Sequence, residues 1–242
     1  MPAALEYILD TSSQVYRDLE AAHSKEYRER AAMFASHWKQ YDGDMPKPLK
    51  LEVDGVNDNL ILPKIGQAVD RIVGFLVGQG LRFDSGLDDK ATEADDLVNS
   101  LWLANRLSVT LHNLALTGAL DGHNFVRIEP RPGQQPRIVP LNPAHCSAFW
   151  ALDDISHVLW YRLQYRLGNK GAGKRIDYVQ GQVGDRSIQW RSPDDPWWEL
   201  VYMDDGGQTM WKPVGEPKQW PWPFPPIVDW QNLPRPHEYY GT

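Results

Sequence analysis

Residues 122–128 read Gly-His-Asn-Phe-Val-Arg-Ile, and at this stretch the hydrophobic pattern of the chain changes from helix to strand. Before it, apolar residues recur mostly at three- and four-residue steps, the spacing of an amphipathic helix. After it, short segments alternate in polarity or are rich in β-branched and aromatic residues. The sequence therefore predicts an α+β fold, with a helical N-terminal half followed by a mainly antiparallel sheet.

Four helical segments are predicted before this change. The first runs from Thr11 to about Tyr41 and stops at Gly43. The second follows Pro63, where the 3.6-residue period predicts a buried face. That face consists of Ile65, Val69, Ile72, Val73 and Leu76. A third helix begins near Asp88, and the apolar run 109–120 predicts a fourth that lies centrally in the core.

Strands are predicted from alternation and β-propensity in the second half. They fall at 125–128, 137–141, 157–166, 176–179, 187–191, 198–203, 209–212 and 227–230. Turns are predicted at 131–133 and 204–207, and the Trp-Pro-Trp-Pro-Phe-Pro-Pro tract at 220–226 predicts a rigid extended arm. We therefore divide the chain into a helical portion, 1–122, a β-rich portion, 123–219, and an extended segment, 220–242.

Composition limits the class of protein. The chain has 242 residues, of which 42% are hydrophobic, so it can bury a sizeable core. The single cysteine, Cys146, excludes an intrachain disulfide and predicts a small buried side chain. No apolar run approaches the roughly 20 residues of a membrane helix. The N-terminus lacks the pattern of a secretory signal, so we expect a protein made in the cytoplasm, without membrane partners.

The charge balance argues against a tight nucleic-acid binder. With 25 basic and 32 acidic residues the formal net charge is −7. Proteins that bind DNA tightly place Lys and Arg on its phosphates and are usually basic overall. An acidic wall instead suits DNA that must slide, although acidity is also ordinary among soluble proteins.

Several separate segments resemble, in the same order, the portal proteins of tailed bacteriophages. These segments are Trp38–Gly43, Phe75–Gly80, Trp102–Leu107, Gly122–Val126, Leu141–Pro143 and Trp150–Asp154. The C-terminal segment also resembles the end of the portal wing, which is an apolar strand followed by Asn-Leu-Pro-x-Pro-x-Glu-x-x-Gly-[Ser/Thr]. Here it reads Asn232-Leu233-Pro234-Arg235-Pro236-His237-Glu238-Tyr239-Tyr240-Gly241-Thr242.

The resemblance implies a structural ring subunit of about twelve copies around a DNA channel at one capsid vertex. It implies a virion protein, assembled in the host cytoplasm, which contacts double-stranded DNA without reading its sequence. Terminase, capsid or scaffolding protein and head-to-tail adaptors are the partners that it implies. The family's stem, clip and crown have no counterpart in residues 1–242, so we expect a truncated, split or partial portal that comprises the wing.

Sequence motifs do not favour an enzyme, a cofactor or a metal site. The segment 168–174 has glycines and lysines but not the spacing of a phosphate-binding loop. No two histidines have the three- or four-residue spacing of ligands on one helical face. The alternative is an aromatic-rich interaction or carbohydrate-binding module. A glycan-active enzyme is weaker still, because its carboxylates at 153–154, 194–195, 199 and 204–205 lie mostly in turn-like settings.

Two groups of residues are predicted to make contacts in such a ring. Aromatic residues beside proline are typical of contact surfaces, and this predicts a subunit interface. Its members are Trp197, Trp198, Trp211, Trp220 and Trp222. In the first helix Lys25, Arg28 and Arg30 are the candidate DNA-facing residues, although a solvated face is the simpler interpretation because glutamates alternate with them.

Overall fold

The computed structural model describes residues 14–44, 52–53, 56–57, 64–78, 93–150, 154, 156–166, 171–183, 188–204 and 211–232. Several predicted features lie outside these residues. They are the helix starts at Thr11, Pro63 and Asp88, most of the turn at 204–207, half of the loop at 168–174, and the C-terminal residues 233–242.

The helices precede the main sheets, and the α+β prediction is confirmed. Helix α1 is Gln14–Tyr41, α2 is Lys64–Val77, α3 is Glu93–Ala104 and α4 is Leu107–Asp121. Between α1 and α2, β1 (Glu52–Val53) and β2 (Val56–Asn57) form a short hairpin. As predicted, Gly43 terminates α1, with a φ of 82°. Gly122 terminates α4, with a φ of 73°, and the chain enters the sheet directly.

Eleven further strands follow in the described residues. They are β3 (His123–Glu129), β4 (Arg137–Leu141), β5 (Cys146–Trp150), β6 (Val158–Arg166), β7 (Gly173–Gln180), β8 (Gln182–Val183), β9 (Ile188–Gln189), β10 (Trp197–Asp204), β11 (Lys212–Pro213), β12 (Lys218–Gln219) and β13 (Ile227–Gln231). The larger sheet has the order β11-β10-β7-β6-β5, with β12 also paired to β10. The smaller sheet has the order β13-β3-β4, and β8 pairs with β9. All of these pairings are antiparallel.

The alternation of strands β6 and β7 separates two layers of the core. Tyr161 pairs with Tyr178, and Leu163 pairs with Ile176, on one face of the larger sheet. These four side chains belong to a buried cluster that also contains Phe125 and Ile227 of the smaller sheet. The two sheets therefore share one core, to which the described part of the segment 220–242 contributes through β13.

A buried ion network occupies the opposite face of the same two strands. Arg162 Nε lies 3.1 Å from Asp177 Oδ1, and Arg175 Nη2 lies 3.1 Å from Asp177 Oδ2. All three side chains are at most 1% exposed. The guanidinium of Arg162 lies over the ring of Trp160, and that of Arg175 over the ring of Tyr202. Since charges in a core require such partners, Asp177 contributes to the neutralisation of both arginines.

The helices pack less completely than the sequence predicts. Val73 of α2 is buried, but Ile65, Ile72 and Leu76 from the same predicted face are exposed. In α4, which was expected to lie centrally in the core, Val109 is 62% exposed. The predicted helix-wide buried faces are therefore wrong, because the described residues cover only a narrow stripe of each helix.

A polar contact joins α1 to the end of α4. Trp38 Nε1 donates to Asp121 Oδ2 at 3.3 Å, and the neighbouring ring of His37 lies 2.9 Å from the carbonyl oxygen of Leu120. Asp121 is 3% exposed, and its Oδ1 has no hydrogen-bond partner among the described residues. Burial raises the pKa of the Asp121 carboxyl to about 6, against the smaller lowering effects of Trp38 and His37.

Candidate functional site

Two surface features of the described residues are candidates for function. The first is a set of large apolar side chains on α2, α3 and α4, which we call the exposed helical set. It comprises Ile72, Phe75, Leu76, Leu97, Leu103 and Val109, each more than 60% exposed. Single exposed apolar residues are normal in soluble proteins, and six on three helices make this set a candidate for contact with a partner.

Phe75 is the extreme member of the exposed helical set. Its side chain is 90% exposed, and Leu76 beside it is 67% exposed. On α3, Leu103 is 76% exposed. Among the described residues of α2 only Gly66 and Val73 are buried, so Phe75 and Leu76 lie on its outer surface.

The second candidate is a cleft of about 1090 Å³ between the two sheets, which we call the aromatic cleft. Its aromatic lining consists of Tyr161, Trp197, Trp220, Trp222 and Trp230, together with the ring of His157. Trp222 and Trp230 are 43% and 41% exposed, so they present ring surface to solvent. A cleft of this size with aromatic walls is typical of a ligand or peptide site.

The floor of the aromatic cleft is a hydrogen-bonded group that joins the two sheets. Tyr161 of β6 donates its hydroxyl to Asp229 Oδ1 at 2.6 Å. Asp229 Oδ2 lies 2.8 Å from His123 Nε2 of β3, and the His123 ring is 1% exposed. Three strands thus meet at one carboxylate, which fixes the position of the cleft relative to both sheets.

The polar rim is organised by turn-forming residues. Gln180 Nε2 donates to the carbonyl oxygens of Pro193 and Asp195, and Gln180 Oε1 lies 3.0 Å from His157 Nε2. Burial by itself raises the pKa of Asp195, but hydrogen bonds from the backbone of Arg191 and Ser192 and from a glutamine side chain hold it below its usual value. Asp195 therefore caps a turn, the local role that its setting predicted.

The predicted interface tryptophans lie in different environments. Trp197 is buried and stacks on Tyr161 with ring centroids 5.7 Å apart. Trp198 and Trp211 are half-buried against the second core cluster, and Trp220 is half-buried with its Nε1 donating to Phe224 O. Trp222 is the exposed member. The predicted role of Trp197 in a subunit interface is therefore wrong, because its ring is buried in the core between the two sheets.

The tract 220–226 is also not an extended arm. Bends at residues 222–224 bring the carbonyl oxygen of Phe224 to 2.9 Å from Trp220 Nε1. The backbone nitrogen of Trp220 donates to Trp197 O at 2.7 Å. These bonds fold the tract against the larger sheet and leave Trp222 projecting. Trp230, which the sequence did not single out, projects from β13, and strand alternation was the signal that could have found it.

The predicted DNA-facing residues divide in the same way. Lys25 is exposed and lies 4.0 Å from Glu29 one helical turn away, while Arg28 is exposed. Arg30 is 7% exposed, and its Nη2 donates to Cys146 O at 2.5 Å and to Ser147 Oγ at 2.7 Å. The prediction for Arg30 is wrong, because its guanidinium attaches α1 to β5. Cys146 is buried as predicted, and burial raises the pKa of its thiol.

No protein-family profile matches this chain, and a search of curated proteins returns no match. Within the described ranges, no helix has the length and hydrophobicity needed to cross a membrane. In the same part of the chain, no cluster of three or more His, Cys, Asp or Glu side chains is arranged to hold a metal ion. The exposed helical set and the aromatic cleft are therefore the two candidate sites of this protein.

Proposed function

We propose that this chain is the wing portion of a phage portal subunit, a non-enzymatic ring component through which double-stranded DNA enters and leaves the capsid. The ordered resemblance of its segments to that family supports the proposal, as does the α+β order of the fold. The protein then belongs to the portal vertex of the virion and assembles in the host cytoplasm. Terminase, capsid or scaffolding protein and the head-to-tail adaptor are its expected partners.

The observation that carries the proposal is the exposed helical set. Covering an apolar surface is worth about 25 cal/mol per Å², so side chains such as Phe75 and Leu103 favour association in water. A closed ring covers a different face of each subunit with each neighbour, and a helical surface packed on the adjacent wing satisfies this geometry. We place the exposed helical set on one side of the subunit contact.

Assembly of the purified chain tests the proposal. Negative-stain electron microscopy with native mass determination is expected to find rings of about twelve subunits with a central hole. Phe75→Asp, which places a charge in the contact, is expected to convert rings into smaller species. The matched control is Val183→Asp, since Val183 is 52% exposed but lies on the β8–β9 hairpin. Rings of the control variant are expected to persist.

Two results would contradict the proposal. One is a uniform monomer both for this chain and for any longer reading frame that contains it. The other is a ring that forms equally well with Phe75→Asp, which would remove the exposed helical set from the contact. Equal loss of rings in both aspartate variants would assign the effect to general solubility and count against the specific surface.

The aromatic cleft favours a second candidate, an aromatic-rich interaction or carbohydrate-binding module. Sugars stack on exposed tryptophan rings, and Trp222 and Trp230 line the same cleft with polar side chains between them. Titration of intrinsic fluorescence with soluble glycans tests this function. Trp222→Ala and Trp230→Ala are expected to abolish any response, whereas Val214→Ala, an exposed position outside the cleft lining, retains it. If glycans do not change the fluorescence of the parent chain, the carbohydrate-binding function is eliminated.

A further inference from the structure

A second cavity, of about 570 Å³, lies between the α3–α4 junction and the β3–β4 hairpin, and we call it the basic cavity. Its polar lining comprises Asn105, Arg106, Thr110, Arg131, Gln134, Gln135 and Arg137. Three of its lining residues are arginines, and none is Asp or Glu. In a chain with more acidic than basic residues, this local composition indicates a site for negative charge.

Side-chain hydrogen bonds hold the frame of the basic cavity, namely those of Asn105 and one from Gln135 Nε2 to Ser100 Oγ at 3.1 Å. Asn105 Nδ2 donates to Leu101 O at 3.0 Å and to Pro136 O at 2.9 Å, and Asn105 Oδ1 accepts from Ile138 N at 2.8 Å. These bonds join the end of α3 to the start of β4. Because the amide satisfies partners on both elements, the two walls are held at a constant separation.

The arginines extend from this frame on short, well-defined turns. Arg106 connects α3 to α4 in the left-handed region, with a φ of 49°. Arg131 begins the hairpin turn, in which Gln134 N donates to Arg131 O at 3.1 Å and Gly133 has a φ of 70°. Arg106 and Arg131 are both exposed, so the guanidinium groups are accessible to a ligand while their backbone is fixed.

Charge compensation near the basic cavity is partial. Arg137 Nη1 lies 3.9 Å from Glu129 Oε2, but Glu129 also pairs with Arg127 through Nη2. One carboxylate therefore serves two arginines on the β3–β4 side. Neither Arg106 nor Arg131 has an ion pair of this kind among the described contacts, and the positive end of α4 adds to their field.

We propose that the basic cavity binds phosphate groups, in the first place those of a nucleic-acid backbone. Guanidinium groups bind phosphate oxygens in a planar, two-point geometry, and three of them around one cavity suit an anion of that shape. The cavity volume lies in the range of small-ligand sites, which accommodates a nucleotide unit. The identification of the phosphate source as nucleic acid rests on the proposed portal function. It assigns the DNA contact to the α3–α4 junction and not to Lys25 and Arg28.

Binding of a short fluorescein-labelled DNA duplex to the full chain, followed by anisotropy at several salt concentrations, tests the site. The double variant Arg106→Gln/Arg131→Gln is expected to weaken binding at least about tenfold and to lower the salt dependence by about two ions. The control Lys25→Gln/Arg28→Gln removes the same charge from α1 and is expected to change affinity less than about twofold. Rings or monomers are suitable samples, provided that both variants assemble as the parent does.

Competition distinguishes the sources of phosphate. Displacement of the duplex by inorganic pyrophosphate, but not by polyglutamate, supports a phosphate site that DNA occupies. Binding of pyrophosphate without DNA supports the same site with a free phosphate ligand. Three results would overturn the proposal. They are no binding of either DNA or pyrophosphate, displacement of the duplex by polyglutamate as effective as that by pyrophosphate, and a loss of affinity in the Lys25→Gln/Arg28→Gln control equal to that of the Arg106→Gln/Arg131→Gln variant. If the chain, and any longer reading frame that contains it, stays monomeric but still binds pyrophosphate, the portal function is refuted and the phosphate site stands.

Discussion

Replacing Asp121 by Asn is predicted to stabilise the protein, although it removes a buried carboxylate that accepts a hydrogen bond. The pKa of Asp121 rises from 3.8 to about 6 because folding buries the group. A group whose pKa is raised in the folded state contributes its full stability below pH 3.8. That contribution is lost as the pH rises through about 6.

The magnitude follows from the same linkage. The rise from 3.8 to about 6 corresponds to about 3 kcal/mol that the ionised carboxylate costs the fold at pH 7.5. At pH 4.5 the cost is about 1 kcal/mol, because the folded protein then holds the proton. The Asp121→Asn side chain is neutral at every pH and retains an oxygen for Trp38 Nε1, and the cost of placing its Nδ2 where Oδ1 has no partner is the same at both pH values. Its advantage over the parent should therefore be about 2 kcal/mol larger at pH 7.5 than at pH 4.5.

Urea denaturation of both proteins at pH 4.5 and 7.5 provides the measurement. All other titrating groups are shared, so the difference between the two proteins isolates position 121. Asp42→Asn, at the exposed end of α1, is the control and is expected to produce little pH-dependent difference. An advantage of Asp121→Asn that is the same at both pH values, or a variant less stable than the parent at pH 7.5, would refute the reasoning.

Further predictions concern the buried charge and two glycines. Asp177→Asn removes the carboxylate that Arg162 and Arg175 share and is expected to cost about 3–5 kcal/mol, against about zero for exposed Asp194→Asn, by chemical denaturation; a cost below about 1 kcal/mol would contradict the network. Gly118→Ala is expected to lower the melting temperature, since its Cβ would lie 2.6 Å from Asn124 Nδ2. Gly74→Ala is expected to raise the melting temperature through a gain of about 0.5–1 kcal/mol, because its Cβ meets nothing within 4 Å. A higher melting temperature for Gly118→Ala than for Gly74→Ala would show that Gly118 does not approach Asn124 closely.

The local sequence pattern predicted the secondary structure well where the backbone hydrogen bonds join residues that are close in the sequence. The change at Gly122, the end of α1 at Gly43 and the turn at 131–133 all agree with the structure. Each depends on neighbours within about five residues, which is the range that propensity and periodicity report. Strand β5 was missed because its start, at Cys146, follows directly on a helical turn capped by Asn142.

The candidate sites were less predictable, because each is assembled from distant parts of the chain. The aromatic cleft joins Tyr161 to Asp229, 68 residues apart, and Arg30 reaches Ser147 across 117 residues. A count of tryptophans cannot say which ring fills the core, so Trp197 and Trp222 were grouped although one is buried. The arginines of the basic cavity belong to no sequence motif, since tertiary contacts such as the Asn105 bonds bring them together.

Periodicity and composition were sufficient for the fold class, the order of the helices before the main sheets and the buried state of the one cysteine, because these properties follow from local pattern. Which side chains remain outside depends on tertiary packing. Phe75 and Val73 belong to one apolar stretch of α2, yet one is 90% exposed and the other 1%. Exposure depends on what packs against a helix, and that depends on contacts between residues far apart in the chain, which no local pattern encodes.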